Sequence, residues 1–383
     1  MATAATSALR GITLILAGLM PVLALSGLVP ALPQLFQQFA DEPNRELLVP
    51  MIITVPSLCV ALFSGFAGAI ADRWGRRRLL LVSLLAFGAL GTIPMLFSSL
   101  QAILASRVVV GIAEAAILTC ANALLGDYYD EADRRKWLGY QNMFGALFGS
   151  AIILSGGFLA DWHWRAPFLL YLFGFAVFVM AFISCPEPER ARSTGASGSP
   201  SQSAPAAFPW RTVALVCSVT LGLSLIYYVQ AVQHGRIFGD MGVDSPARIS
   251  ILVTLASMGT ILGGYLFKRF PVASMSSLLA FSLLAYGIAY VGVAWAPNAT
   301  IGLPLDALGQ VGGGILLPTL IAWALGKYSF EHRGRGMGLW GGAFFLGAFA
   351  SPPALSLVGR FTPDFLASVG VVGALCLDRK SVV

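Results

Sequence analysis

The stretch Gly68-Ala69-Ile70-Ala71-Asp72-Arg73-Trp74-Gly75-Arg76-Arg77-Arg78-Leu79 stands between two long apolar runs, residues 47–71 before it and 79–99 after it. A helix needs about 20 apolar residues to cross a bilayer. Two runs of that length separated by a knot of charge read as two spanning helices joined by a short loop at a membrane surface. The glycines of the knot have a physical reading too. Gly68 lets neighbouring helices approach closely. Asp72 is placed to accept hydrogen bonds from the positive N-terminus of a facing helix. The plainer alternative, that the arginines only mark the side of the membrane, suffices for Arg77 and Arg78 but leaves an Asp between two glycines unexplained.

The same pattern repeats outward from this loop. Twelve apolar runs are predicted, at 11–36, 47–71, 79–99, 102–126, 137–160, 166–185, 212–233, 248–267, 274–296, 299–325, 336–359 and 361–377. The first continues through Pro30-Ala31-Leu32-Pro33, well past the length of a signal peptide. With 57% hydrophobic and 11% charged residues over 383 positions, the chain has too little charge to cover a soluble fold and too many apolar residues to be disordered. The net charge of +6 does not point to nucleic acid, because the basic residues lie between apolar runs and not on one face. The five cysteines lie in or at the ends of these runs without a CxxC pair, so neither a disulfide framework nor a metal site is expected.

The basic residues orient the chain. Of the 24 Lys and Arg residues, Arg45, Arg165, Arg236, Arg248 and Arg360 fall on one side and Arg107 inside a run, which leaves eighteen on the other. Basic loops stay in the cytoplasm, so both termini are expected inside a cell (inner) membrane crossed twelve times. Residues 186–211, rich in Ser, Gly, Ala and Pro, are read as a cytoplasmic linker. It separates an N-terminal bundle of six helices (1–185) from a C-terminal one (212–383). The halves echo each other at an offset of 199: Arg134 and Gly139 match Arg333 and Gly338, and Arg107 falls on Asp306. Such repeats suit transporters built from two copies of one unit.

The charged loop resembles motif A of the major facilitator superfamily, a Gly-x-Leu-Ala-Asp-Arg-x-Gly-Arg-Arg pattern in which only Ile70 departs. Arg107-x-x-x-Gly111 looks like the family's motif B, and Pro30-x-x-Pro33 is similar to the end of the first helix in twelve-helix drug:proton antiporters. Gly156-Gly157 through Asp161 and Trp164-Arg165-Ala166-Pro167-Phe168 resemble the link into the sixth helix. The antiporters' Gly-Pro element in the fifth helix is missing, with Ile152 and Ile153 in its place, although Gly145-x-x-x-Gly149 remains as a close-packing pair. The resemblance implies an all-α integral membrane fold of two pseudo-symmetric six-helix bundles, with motif A gating through Gly68, Asp72, Arg73, Gly75 and Arg76.

Two acidic residues lie within runs, Glu114 and Asp306. Arg107 and Glu114 are seven residues apart, which places them on one helical face, about 10 Å apart along the axis. Charge at that depth costs about 2.5–3.5 kcal/mol on the most lenient scale and marks a pathway or interior. Glu114 is therefore either the proton-coupling carboxylate or a neutral hydrogen-bonded interior group, and Arg107 either lines the pathway or snorkels as a structural pin. Asp306 shares a face with Gln310 and lies nearer the outer end, where water could reach it. Tyr227, Tyr228, Gln230, Gln233 and His234, toward the outer end of the seventh run, are candidates for a cavity wall, together with Gln310, and an interfacial aromatic belt explains the tyrosines equally well. His163, His234 and His332 are expected in loops or at helix ends. The Gly-rich eleventh run is read as a close-packing, bending element. No HExxH or GxSxG pattern occurs, so no enzyme and no cofactor is expected.

The expected function is secondary active transport by alternating access, with proton-coupled efflux of a small amphipathic or drug-like molecule implied by the resemblance. The alternative is a symporter or uniporter importing a small metabolite. A membrane sensor or enzyme is disfavoured. The expected partners are a small-molecule substrate, protons and the lipid bilayer, with no nucleic acid, and the expected unit is a monomer. The twelfth run is short for a span, and Asp378-Arg379-Lys380-Ser381-Val382-Val383 reads like a translated adaptor sequence, so the last helix is expected to be truncated.

Overall fold

The structure, a computed structural model, describes residues 4–187, 208–269, 274–329 and 332–378. Most of the expected linker (188–207) and the terminal residues 379–383 lie outside the described residues. Eleven helical segments among the described residues are long and apolar enough to cross a membrane. The first span is broken into α1 (Ala4–Gly18), α2 (Met20–Ser26), a 3₁₀ turn at Val29–Ala31 and α3 (Leu32–Gln38). Pro21, Pro30 and Pro33 stand in the first turns of the last three pieces, where a missing N–H costs nothing. The N-terminal bundle continues with α4 (Arg45–Trp74), α5 (Arg76–Thr92), α6 (Leu100–Tyr128), α7 (Glu131–Trp162), a 3₁₀ segment at Ala166–Leu172 and α8 (Phe173–Ser184). The C-terminal bundle holds α9 (Trp210–Asp240), α10 (Pro246–Arg269), α11 (Met275–Trp295), α12 (Ala299–Lys327), α13 (Arg333–Gly359) and α14 (Phe365–Leu377).

Most helices overrun their apolar stretch by several residues at each end. Polar side chains stop a segment from lying in hydrocarbon but do not stop it from being helical, and local caps set the actual starts. Asp130, Ser274, Asn298 and Asp364 each accept the N–H three residues on. The last cap shortens the twelfth expected span: α14 starts at Phe365, not 361, and its 13 residues extend about 20 Å against a hydrocarbon core of about 30 Å.

Two large cores match the two bundles. One is built from residues between Leu14 and Cys185, the other from residues between Val213 and Val369. Equivalent helix pairs form the tightest contacts in each, α4 with α6 and α10 with α12, and both pack through glycine. A Cβ on Gly111 would stand 2.6 Å from Pro56 Cα, and one on Gly314 would stand 3.0 Å from Gly263 Cα. Without a hydrophobic drive between helices in lipid, such close backbone approach is what holds them. Gly68 does not contribute in this way. The nearest atom to a Cβ there is Thr119 Cγ2 at 3.8 Å, ordinary contact, so the close packing expected of Gly68 is carried by Gly111 instead.

The halves meet along α4–α13 and α7–α10 and, at the ends away from the motif loop, along the first span and α9. At that opposite face the seam is shut. A Cβ on Gly235 would run into the Val29 carbonyl, one on Gly239 would stand 2.7 Å from the Pro33 ring, and one on Gly157 would run into Ser250. Arg236 bonds Glu46 across the seam, its guanidinium between the rings of Phe36 and Phe365 at 4.2 and 4.1 Å. Toward the motif face the same helices separate. Gly65, Gly139, Gly264, Gly338 and Gly341, on α4, α7, α10 and α13, would have nothing within 4 Å of an added Cβ. The space between the bundles therefore opens toward the face that carries residues 72–78. For α13 this corrects the expected close-packing role at Gly338 and Gly341, while Gly347 does pack, directly against Ser224.

Candidate transport site

The motif loop turns on Gly75, whose φ of 103° lies where only glycine is unstrained. The turn delivers Arg76 to Asp72 of α4 at 3.2 Å and to Asp127 at the end of α6 at 2.5 Å. Arg77 bonds the Phe182 carbonyl at 3.1 Å and also the Cys185 carbonyl, tying the loop to the end of α8. Arg73 is exposed. Asp72 is 67% exposed and pairs with Arg76 four residues on along the chain. Among the described residues, the expected helix-capping contact of Asp72 is not made. Asp127, which sequence reasoning passed over, is the second anchor of Arg76. Its signal was present in the acidic residue that ends the fourth run.

In the N-terminal bundle, Arg107 and Glu114 are both buried on α6, at 0% and 2% exposure. They face different neighbours. Arg107 donates to the carbonyls of Leu90 and Gly91 on α5 at 3.3 and 3.0 Å and lies over the Phe168 and Tyr171 rings at 5.1 and 4.8 Å. This is a pin between α5, α6 and the 3₁₀ segment, turned inward and not snorkelling. Among the described residues, Nη1 of Arg107 and Oε2 of Glu114 have no hydrogen-bond partner. Glu114 interacts electrostatically with Arg107 on its own helix, Tyr171 of the 3₁₀ segment, Cys59 of α4 and Tyr228 of α9.

The C-terminal bundle carries a denser polar cluster than the sequence suggested. Asp306 is 2% exposed, buried within the bundle and not at its wetted outer end. Its Oδ1 accepts from Gln230 Nε2 at 2.6 Å, and its Oδ2 lies 2.9 Å from His234 Nε2. Gln310 Nε2 lies 3.1 Å from the same ring nitrogen, and its Oε1 accepts from Thr260 at 2.7 Å. The expectation that His234 sits at a helix end is corrected: α9 runs on to Asp240, which carries His234 inward to 3% exposure. Gly309 makes room, since a Cβ there would stand 2.9 Å from the Gln230 amide. Tyr227 is half-buried and packs with Tyr228, Phe344 and Trp340 in an aromatic cluster of centroid distances from 5.0 to 5.7 Å. A cavity of about 340 Å³ lies on the opposite face beside Glu46, Gln233 and Arg236, and neither Glu114 nor Asp306 lines it.

Two helical bundles that part at one membrane face and close at the other, with buried ionisable groups beside the seam, define a multi-pass membrane transporter. The chain belongs to the Major Facilitator Superfamily, which it matches over residues 14–352. It is 26% identical over 381 residues to the class G tetracycline resistance protein of Vibrio anguillarum, covering 95% of this chain and 94% of that protein. Its fold is similar to the crystal structure of a bacterial homologue of the human lysosomal transporter Spinster, inward-facing and unoccupied. That likeness has a TM-score of 0.75 and 17% identity, over 99% of this chain and 94% of the other. It is also similar to a D-xylose-proton symporter, with a TM-score of 0.73 and 17% identity over 96% and 95%.

Proposed function

We propose that this transporter exports a small amphipathic, drug-like molecule in exchange for protons across a bacterial inner membrane. The observation that carries this reading is the likeness along nearly the whole chain to a tetracycline resistance protein. The basic residues put the motif face and both termini in the cytoplasm, which makes the conformation described here inward-facing. The molecule works as a monomer embedded in lipid, with halves 1–185 and 212–383 rocking about the seam and residues 186–211 joining them. Glu114 is the proton-coupling carboxylate, Arg107 holds its helix in place, and Asp306 adds a second acid beside the pathway. Tyr227, Gln230 and Gln310 supply aromatic and polar contacts to the substrate. Gly68, Asp72, Arg73, Gly75 and Arg76 gate the motif face, Asp72 capping a facing helix only when that face closes.

Ile152 and Ile153, standing where antiporters carry Gly-Pro, favour a second reading, a proton symporter or uniporter that imports a small metabolite. Proteoliposomes under an imposed pH gradient of either sign separate the two. Export requires that a panel of amphipathic compounds leave the cytoplasmic side when protons enter, and accumulation in the direction of proton flow refutes it.

A further inference from the structure

At the face away from the motif loop, a cavity of about 340 Å³ lies between α4, α9, α13 and α14. It reaches across the seam: Glu46 belongs to the N-terminal bundle, and Gln233, Arg236, Arg360 and Asp364 belong to the C-terminal one. Helix ends bring these groups together. Glu46 stands in the first turn of α4, Gln233 and Arg236 in the last two turns of α9, and Arg360 and Asp364 in the short link from α13 to α14.

The wall holds both signs of charge, and its groups differ in how far they are already partnered. Arg236 is fully engaged: it bonds Glu46, stands 3.6 Å from Asp240 and lies between the Phe36 and Phe365 rings. Arg360 makes no ion pair among the described residues. Asp364 accepts the Ala367 N–H at 2.7 Å with Oδ1, which leaves its second oxygen for another donor. Gln233 is 3% exposed, and its Oε1 has no hydrogen-bond partner among the described residues, a costly state for a buried amide oxygen. Arg360 and Asp364 are exposed, so they stand at the mouth of the cavity and Gln233 at its buried end.

The lining decides what kind of molecule fits. With two arginines and two carboxylates in the wall, a ligand of either net charge meets as much repulsion as attraction, whereas a zwitterion sets each pole against its opposite. Leu355, Pro352 and Phe365 add an apolar side to the same space. We propose that this cavity binds a small zwitterion, a primary ammonium and a carboxylate on an apolar carbon frame as in a free aliphatic amino acid, and that the bound molecule holds the opposite face shut. The ammonium donates to Gln233 Oε1 and Glu46, the carboxylate accepts from Arg360, and the carbon frame lies against Leu355 and Phe365. Because Glu46 and the other groups belong to different bundles, all these contacts are made together only while the seam is closed. The site is separate from Glu114 and Asp306, neither of which lines it. It does not depend on which molecule the central pathway carries.

The test is isothermal titration of the purified protein in lipid nanodiscs, at about pH 7, with three molecules that share one branched carbon frame. Leucine carries both charges, 4-methylpentanoate only the carboxylate and 3-methylbutylamine only the ammonium. Leucine should bind saturably, and each single-charge analogue at least about tenfold more weakly. Absence of saturable leucine binding, or an analogue that binds as tightly, overturns the proposal. Gln233→Leu and Arg360→Gln should each weaken leucine binding at least about tenfold. Wild-type affinity in either variant places the molecule elsewhere and refutes the site. Should the variants fail to fold, the comparison of the three probes on the wild type decides alone. The hold on the seam has its own readout, the rate at which an impermeant thiol reagent labels a cysteine substituted for Val29, which is 2% exposed with its carbonyl against Gly235 in the closed face. Leucine at about ten times its dissociation constant should slow that labelling roughly tenfold, because a ligand bound to one state alone shifts the equilibrium by that factor. Leucine binding with an unchanged labelling rate refutes the hold on the seam.

Discussion

Arg107 and Asp306 occupy the same place in two matching helices. Each is the eighth residue of a 29-residue helix, α6 or α12, and both ends of α12 lie 199 residues after those of α6. The two positions carry opposite charge and have opposite fates. The cation is pinned to backbone carbonyls of α5, and the anion is engaged by two side chains of α9. The matched position thus holds a cation bound to backbone in one half and an anion bound to side chains in the other.

The α4–α6 contact gives a stability prediction. Gly111→Ala places a methyl group 2.6 Å from Pro56 Cα, which is backbone and cannot swing aside. Overpacking of this kind costs about 1–3 kcal/mol. The melting temperature in detergent should fall, whereas Gly139→Ala, with nothing within 4 Å, should leave it unchanged or raise it. Equal melting temperatures for the two variants would contradict the packing.

Arg236 clamps the opposite face. Glu46 is half-exposed, so the ion pair itself contributes about 1 kcal/mol or less, and the two flanking rings add about as much. Arg236→Gln should shift the closed face toward opening by roughly fivefold, read as faster labelling of a cysteine placed at Val29 by an impermeant thiol reagent. Labelling at the wild-type rate would show that the clamp does not hold the seam.

Asp72→Asn tests the motif loop. In the conformation described, Asp72 is largely exposed, so the substitution should leave its stability nearly untouched. It should instead disfavour the conformer in which the motif face closes, by about 1–2 kcal/mol or roughly tenfold in population. Transport should slow while the protein remains in the membrane. Unchanged transport together with unchanged accessibility at both faces would reduce Asp72 to a marker of topology.

Glu114→Gln keeps the shape of the side chain and removes its proton chemistry. Transport driven by a pH gradient should fall at least tenfold, while substrate counterflow, which needs no net proton cycle, should persist. Full pH-driven transport in Glu114→Gln together with its loss in Asp306→Asn would move the coupling role to α12.

For topology, cysteines replacing Asn44 and Asp244 should react with an impermeant thiol reagent in intact cells, and one replacing Ser197 should not. A reactive position 197 would reverse the orientation.

The sequence determined the spans, the repeat and the charged loop, because each rests on local physics. An apolar run of spanning length must be helical, since lipid offers no other partner for its backbone. The 199-residue offset was readable from Arg134/Arg333 and reappears as the bounds of α6 and α12. The loop between the second and third spans was readable for the same reason, as a knot of charge between two apolar runs, while its turn at Gly75 came from the structure. What the tertiary structure alone decided is which polar groups meet. Glu114 and Arg107 share a helix, yet Arg107 is drawn to α5 by carbonyls that no spacing rule on α6 reveals. His234 looked like a helix-end residue until α9 proved to continue to Asp240 and carry it into the bundle. Its pairing with Asp306 spans 72 positions and depends on the close approach that Gly309 permits, a distance set by packing between helices and absent from the periodicity of either one.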